Sequence, residues 1–105
     1  MDIALSLSGS GSFRRITLSL SEEPEQLELS AVVIAPSGRE EIFLPSPEKV
    51  LPQATYAQSG GRFATHIGKG KYQLIYQPRE PGPHGIKLMG RMAGKPFQEK
   101  LQIVF

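Results

Sequence analysis

Cysteine, tryptophan and asparagine are absent from this chain of 105 residues, and aspartate occurs once, at Asp2. Without cysteine there is no disulfide framework, no thiolate zinc site and no cysteine nucleophile. Without asparagine there is no acceptor for N-glycosylation. A single aspartate leaves too few of the side-chain oxygens that calcium loops use, so no metal is expected. No apolar run approaches the ~20 residues needed to cross a bilayer, so no membrane insertion is expected. Met1–Leu7 alternates and lacks the apolar block of a signal peptide. The absence of cysteine fits the cytosol and fits equally the disulfide-free surface modules of bacteria.

What the chain has is turn formers and short alternating stretches. It carries 11 glycines and 9 prolines, and 39% of its residues are hydrophobic. That balance suits many short strands around one core, a single domain over 1–105. Side chains with period two mark half-buried strands, because successive residues point to opposite sides of the pleat. Ile3, Leu5 and Leu7 share one face of the first such stretch, and Ile16, Leu18 and Leu20 share one face of the second. Leu27, Leu29, Ala31 and Val33 align in the third, with Val32 and Ile34 on its other side. Pro36-Ser37-Gly38 is a tight turn into a short extended piece at 39–44. Phe63, Thr65 and Ile67 alternate in the next stretch; Tyr72, Leu74 and Tyr76 follow, then Ile86 and Leu88, then Leu101, Ile103 and Phe105. Pro78, Pro81 and Pro83 exclude helix from the corner between the sixth and seventh. The expected fold is all-β, an antiparallel β-sandwich of about seven or eight strands. The least regular part is an excursion over 45–61, where Ser46-Pro47-Glu48 fits a helix start that Pro52 limits to one or two turns. That excursion either lids one end of the fold or builds a binding surface.

Short motifs along the chain carry a resemblance. Pro36-Ser37-Gly38, the Tyr72–Leu74–Tyr76–Pro78 strand, the corner with Gly82 leading to Ile86 and Leu88, and Gly94, Pro96 and Phe97 together resemble an immunoglobulin-like repeat of the filamin type. Bacterial surface immunoglobulin-like modules have a similar pattern. The chain departs from it at His84, where an aromatic is expected, at the Gly68-Lys69-Gly70 turn, at Lys95, and in the longer segment after Gly38. The resemblance implies an immunoglobulin-like sandwich with a partner-binding groove at a strand edge. The positions that match the groove are Val32 and Ile34 on one strand and Phe63, Ala64 and Thr65 on another. It implies a cytoplasmic setting for a filamin-type repeat and an extracellular or envelope setting for a bacterial module.

Candidate chemistry is sparse. His66 and His84 lie far apart without carboxylate neighbours in sequence, so each reads as packing or a surface hydrogen bond. Adjacent pairs such as Glu22-Glu23 and Glu40-Glu41 point to opposite faces of a strand and do not converge as acid and base. No catalytic residue and no cofactor are expected. Charge is uneven: residues 1–61 carry four basic and eight acidic groups, and residues 62–105 carry eight basic and two acidic. The basic half is either a solvated outer face or a surface for acidic partners. Tyr72 and Tyr76 sit on the inferred core face, away from any base-stacking role, so nucleic acid is not favoured. The expected function is a non-enzymatic protein-binding or spacer module of a larger protein, taking a protein or peptide at an edge strand. Two alternatives stay open: an accessory substrate-positioning domain of a multidomain enzyme, and a binder of anionic polymers through the basic C-terminal half.

Overall fold

The computed structural model describes residues 2–9, 12–24, 29–45 and 63–105. The described residues form eight strands and no helix: β1 (Ile3–Ser8), β2 (Arg14–Leu20), β3 (Ser30–Ile34), β4 (Glu40–Pro45), β5 (Phe63–Gly68), β6 (Lys71–Tyr76), β7 (Pro83–Met92) and β8 (Lys95–Val104). They hydrogen-bond into one sheet in the order β1-β2-β6-β5-β4-β3-β7-β8. The sheet curls into a half-barrel over a single interior. The helical turn expected near Ser46 and most of the excursion over 45–61 lie outside the described residues.

The core follows the alternation. Ile16, Leu18 and Leu20 from β2 meet Tyr72, Leu74 and Tyr76 from β6. Facing them are Ala31 and Val33 from β3, Phe43 from β4, Ile86 and Leu88 from β7 and Ile103 from β8. Leu29 precedes β3 on the same side and is fully buried. Ile3, Leu5, Phe97, Leu101 and Phe105 pack against the margin of this cluster. Removing ~25 cal/mol per Å² of apolar surface from water is what holds the curl closed.

Two expectations are corrected. The sheet is mixed, not wholly antiparallel, because β4 and β5 pair in parallel at Leu44–Phe63 and Pro45–Ala64. Strands running the same way need a long connection, and residues 46–62 supply its length. In β5 the inward residues are Ala64 and His66, while Ile67 is 49% exposed. The alternation of Phe63, Thr65 and Ile67 is real, but its phase is set by β6, which places His66 opposite the buried Tyr72.

Tight turns set the registers. Met92 pairs with Lys95, and between them Ala93 and Gly94 have φ of 50° and 76°. Positive φ at both central residues is the geometry that matches the twist of a two-residue hairpin. Gly70 turns β5 into β6 at φ 68°, and a Cβ there would meet the carbonyl oxygen of Leu20 at 2.6 Å. The hydrogen bond from Leu20 N to Gly70 O, at 2.7 Å, fixes that close approach.

Candidate functional site

The outer side of β4, β3, β7 and β8 carries the most distinctive surface. Cross-strand partners share a face. One row therefore runs Ile42, Val32, Lys87, Lys100 across the four strands. The next runs Glu40, Ile34, Gly85, Gln102. Phe43 is buried, so Ile42 and Leu44 on either side of it must point outward, and they are 54% and 49% exposed. Val32 and Ile34 are half-buried between their neighbours. The apolar end of this face abuts Lys87 and Lys100, which stand directly opposite each other. Like charges in that position repel, a cost that an acidic ligand would relieve.

The other half of the sheet presents a different surface. Its central row is Ser6, Thr17, Gln73, Thr65, without charge and without large apolar groups.

The five residues implied by the resemblance are distributed as follows. Val32 and Ile34 lie on the outer face of β3. Thr65 is half-buried on β5, Phe63 is buried at the head of that strand and Ala64 is fully buried in the core. β4 lies between β3 and β5, and β3 is hydrogen-bonded on both sides, to β4 and to β7. Val32 and Ile34 are thus adjoined by Ile42 and Leu44 of β4, not by β5. Ile42 and Leu44 are not singled out by the sequence, because Ile42-Phe43-Leu44 is apolar in succession and does not itself say which residue faces the core.

A polar cluster joins the loop after β2 to β5 and β6. The Glu23 carboxylate accepts from Gly70 N and from the Tyr72 hydroxyl, at 3.3 Å for the latter. Its Oε1 also lies 2.9 Å from His66 Nε2. The His66 and Tyr72 rings are tilted at 36° to each other with centroids 5.0 Å apart. Burial, then the nearby Glu23 charge and its hydrogen bond, push the Tyr72 hydroxyl well above the usual phenol range. The sequence separation of 43 residues hid this carboxylate from the reading of His66 as lacking one. The Gly70 N–H and the Tyr72 hydroxyl both donate to Glu23, so the cluster fastens a loop.

His84 is fully buried. Its Nδ1 lies 3.0 Å from the Gly82 carbonyl oxygen, which makes Nδ1 the protonated nitrogen. Its ring meets Phe105 and Tyr76 edge-on at 4.9 and 5.7 Å. Nearby, a groove of about 470 Å³ runs past Phe13, Ile75, Tyr76, Arg39, Glu41 and Glu80. Ser37 donates to Glu80 at 2.5 Å beside it. Burial, aided by Glu41 and Glu80, raises the Tyr76 hydroxyl pKa as well. Among the described residues no group of three or more His, Cys, Asp or Glu is placed to hold a metal ion, and no helix is long and apolar enough to cross a membrane.

Comparison with protein-family models, with curated proteins and with solved structures gave no match to this chain.

Proposed function

We propose that the chain is a non-enzymatic binding module, an immunoglobulin-like sandwich belonging to a larger protein. The strand order supports the sandwich. The run β1-β2-β6-β5 and the run β3-β7-β8 follow the strand order of the two sheets of that fold, with β4 added beyond β3. Among the described residues, only the short parallel pairing at Leu44–Phe63 and Pro45–Ala64 hydrogen-bonds the two halves together. The partner is a protein surface with an apolar centre and acidic rim. It docks on the outer face of β4, β3, β7 and β8.

One observation carries this reading: exposed Ile42 and Leu44 adjoin Val32 and Ile34 on a face that ends in the opposed lysines Lys87 and Lys100. Contiguous exposed apolar groups rimmed by charge are what interaction surfaces have and solvated faces lack. A displayed library of random peptides, selected on the immobilised chain, tests it. Enriched peptides should combine apolar with Asp or Glu residues and lose binding to Ile42→Ser and Lys87→Glu chains. Equal binding to both variants would remove the face from consideration.

The lysine pair favours a second reading, an anionic polymer, with Arg91 on the same side of β7 adding to the charge. That reading requires retention on heparin that falls steeply with salt and does not depend on Ile42.

A further inference from the structure

The two outer edges of the sheet are built differently. Gly82 and Phe105 exchange both backbone hydrogen bonds. Backbone groups alternate in direction along an antiparallel strand. The residues of β8 that turn their backbone groups to the free edge are therefore Pro96, Gln98, Lys100, Gln102 and Val104. Pro96 has no N–H to offer, Lys100 places a charge at the edge, and Glu99 points inward beside it. Such features block pairing with another strand.

β1 has none of them. Its six residues are Ile-Ala-Leu-Ser-Leu-Ser, without charge, proline or bulge, and its partner among the described strands is β2. Ser21 N donates to Asp2 O at 2.9 Å, so Asp2 faces β2, and by alternation so do Ala4, Ser6 and Ser8. The backbone N–H and C=O groups of Ile3, Leu5 and Leu7 point to the open edge.

We infer that this edge pairs with the same edge of a second copy, antiparallel, with Leu5 on the two-fold axis. Ile3 then lies opposite Leu7 of the second copy, and Ala4 lies opposite Ser6. The register keeps Ile3, Leu5 and Leu7 on the core side and the small Ala4, Ser6 and Ser8 outside, because opposite residues share a face. The three outward-directed residues of each copy match in position, giving about six new backbone hydrogen bonds. Charge is complementary as well. Asp2 of one copy comes opposite Ser8 of the other, and Ser8 is already paired with Arg15. Asp2, Ser8 and Arg15 are all exposed. The carboxylate and guanidinium therefore face each other across one small side chain, about 10 Å apart at Cα, within an arginine's reach. No like charges meet. The halves β1-β2-β6-β5 of two molecules become one continuous sheet, an isologous interface.

Sedimentation velocity of the whole chain over a broad concentration series tests this. The expected result is a monomer–dimer equilibrium. Ala4→Lys/Ser6→Lys sets lysines opposite one another across the axis and should weaken association at least ~10-fold. Both side chains are exposed, so the melting temperature of the dilute protein should not change. Ala4→Glu/Ser6→Glu should be equally monomeric, and an equimolar mixture of the two variants should recover a dimer. Ile42→Ser should leave association intact, which separates this edge from the outer face proposed above. A parent chain that stays monomeric throughout would overturn the inference. So would a dimer that survives the lysine pair, a mixture that does not associate, or a dimer lost on Lys100→Glu.

Discussion

Glu23 and His66, 43 residues apart, meet with Oε1 and Nε2 at 2.9 Å. The same carboxylate takes the Gly70 N–H and the Tyr72 hydroxyl, so one side chain ties the loop after β2 to the β5–β6 turn. Glu23→Ala leaves those groups without their acceptor on a half-buried surface. The expected loss is about 2 kcal/mol in urea denaturation. Glu23→Gln keeps one acceptor oxygen and should lose about half as much. A variant as stable as the parent would show that water serves the Gly70 and Tyr72 donors equally well.

Tyr72 and Tyr76 set the alkaline limit of the fold. Both hydroxyls have pKa values raised by burial first and by neighbouring carboxylates second. In the unfolded chain a tyrosine loses its proton near pH ~10. The folded state holds the proton to higher pH, so the stabilising contribution is complete below that point and falls as pH rises past it. Urea midpoints measured through the alkaline range should decline above pH ~10. Tyr72→Phe should flatten the decline. An unchanged slope in that variant would assign the alkaline transition to other groups.

His84 occupies an aromatic site with a nitrogen to spare. Nε2 is buried and has no hydrogen-bond partner among the described groups. The Gly82 carbonyl that Nδ1 contacts also accepts from Phe105 N at 3.1 Å, so it keeps a donor if the imidazole goes. His84→Phe removes an orphaned acceptor while preserving edge-on packing against Tyr76 and Phe105. It should raise stability by about 1 kcal/mol. His84→Ala, which opens a void there, should lower it by about 3 kcal/mol. The pair separates ring packing from the polar contact, since a purely polar role would make both variants equally unstable.

The all-β class and the approximate places of the strands were legible because alternation and turn residues are local signals. Tyr72, Leu74 and Tyr76 are buried where their spacing placed them. The phase of β5 was not legible, because every other residue of Phe-Ala-Thr-His-Ile is apolar or nearly so on one side and Ala64 is small enough to be overlooked on the other. Only pairing with β6 decides it. The parallel β4–β5 contact is likewise a property of the whole sheet. The outward apolar pair Ile42 and Leu44 was masked by its own strand: Glu-Glu-Ile-Phe-Leu-Pro has apolar residues in succession, and which of them faces the core depends on what lies across the sheet.

Ala93 has φ 50° in a turn whose other central residue is Gly94. A side chain with a β-carbon rarely takes that conformation unless, like asparagine, it can hydrogen-bond locally. Ala93→Asn converts the turn to the Asn-Gly pair that two-residue hairpins favour. Ala93 is exposed, so nothing else changes. The expected gain is about 1 kcal/mol in thermal or urea unfolding, with slower amide exchange along the Met92–Lys95 end of the hairpin. No gain would mean that β7 and β8 hold the turn without strain.

Lys87 and Lys100 offer the sharpest separation of stability from binding. They are direct cross-strand partners on an exposed face, and like charges so placed destabilise a sheet by a few tenths of a kcal/mol up to about 1. Lys100→Glu turns repulsion into attraction, so the variant should be more stable by about 0.5–1 kcal/mol, and more so at low salt. The same change cancels the positive charge that the row offers to an acidic ligand. A peptide or polymer that binds this face should therefore bind the more stable variant less well. Stability and affinity moving in opposite directions is the signature of a charge arrangement kept for a partner. If both rise together, or if binding is indifferent to the reversal, the lysines serve only solvation and the partner surface lies elsewhere.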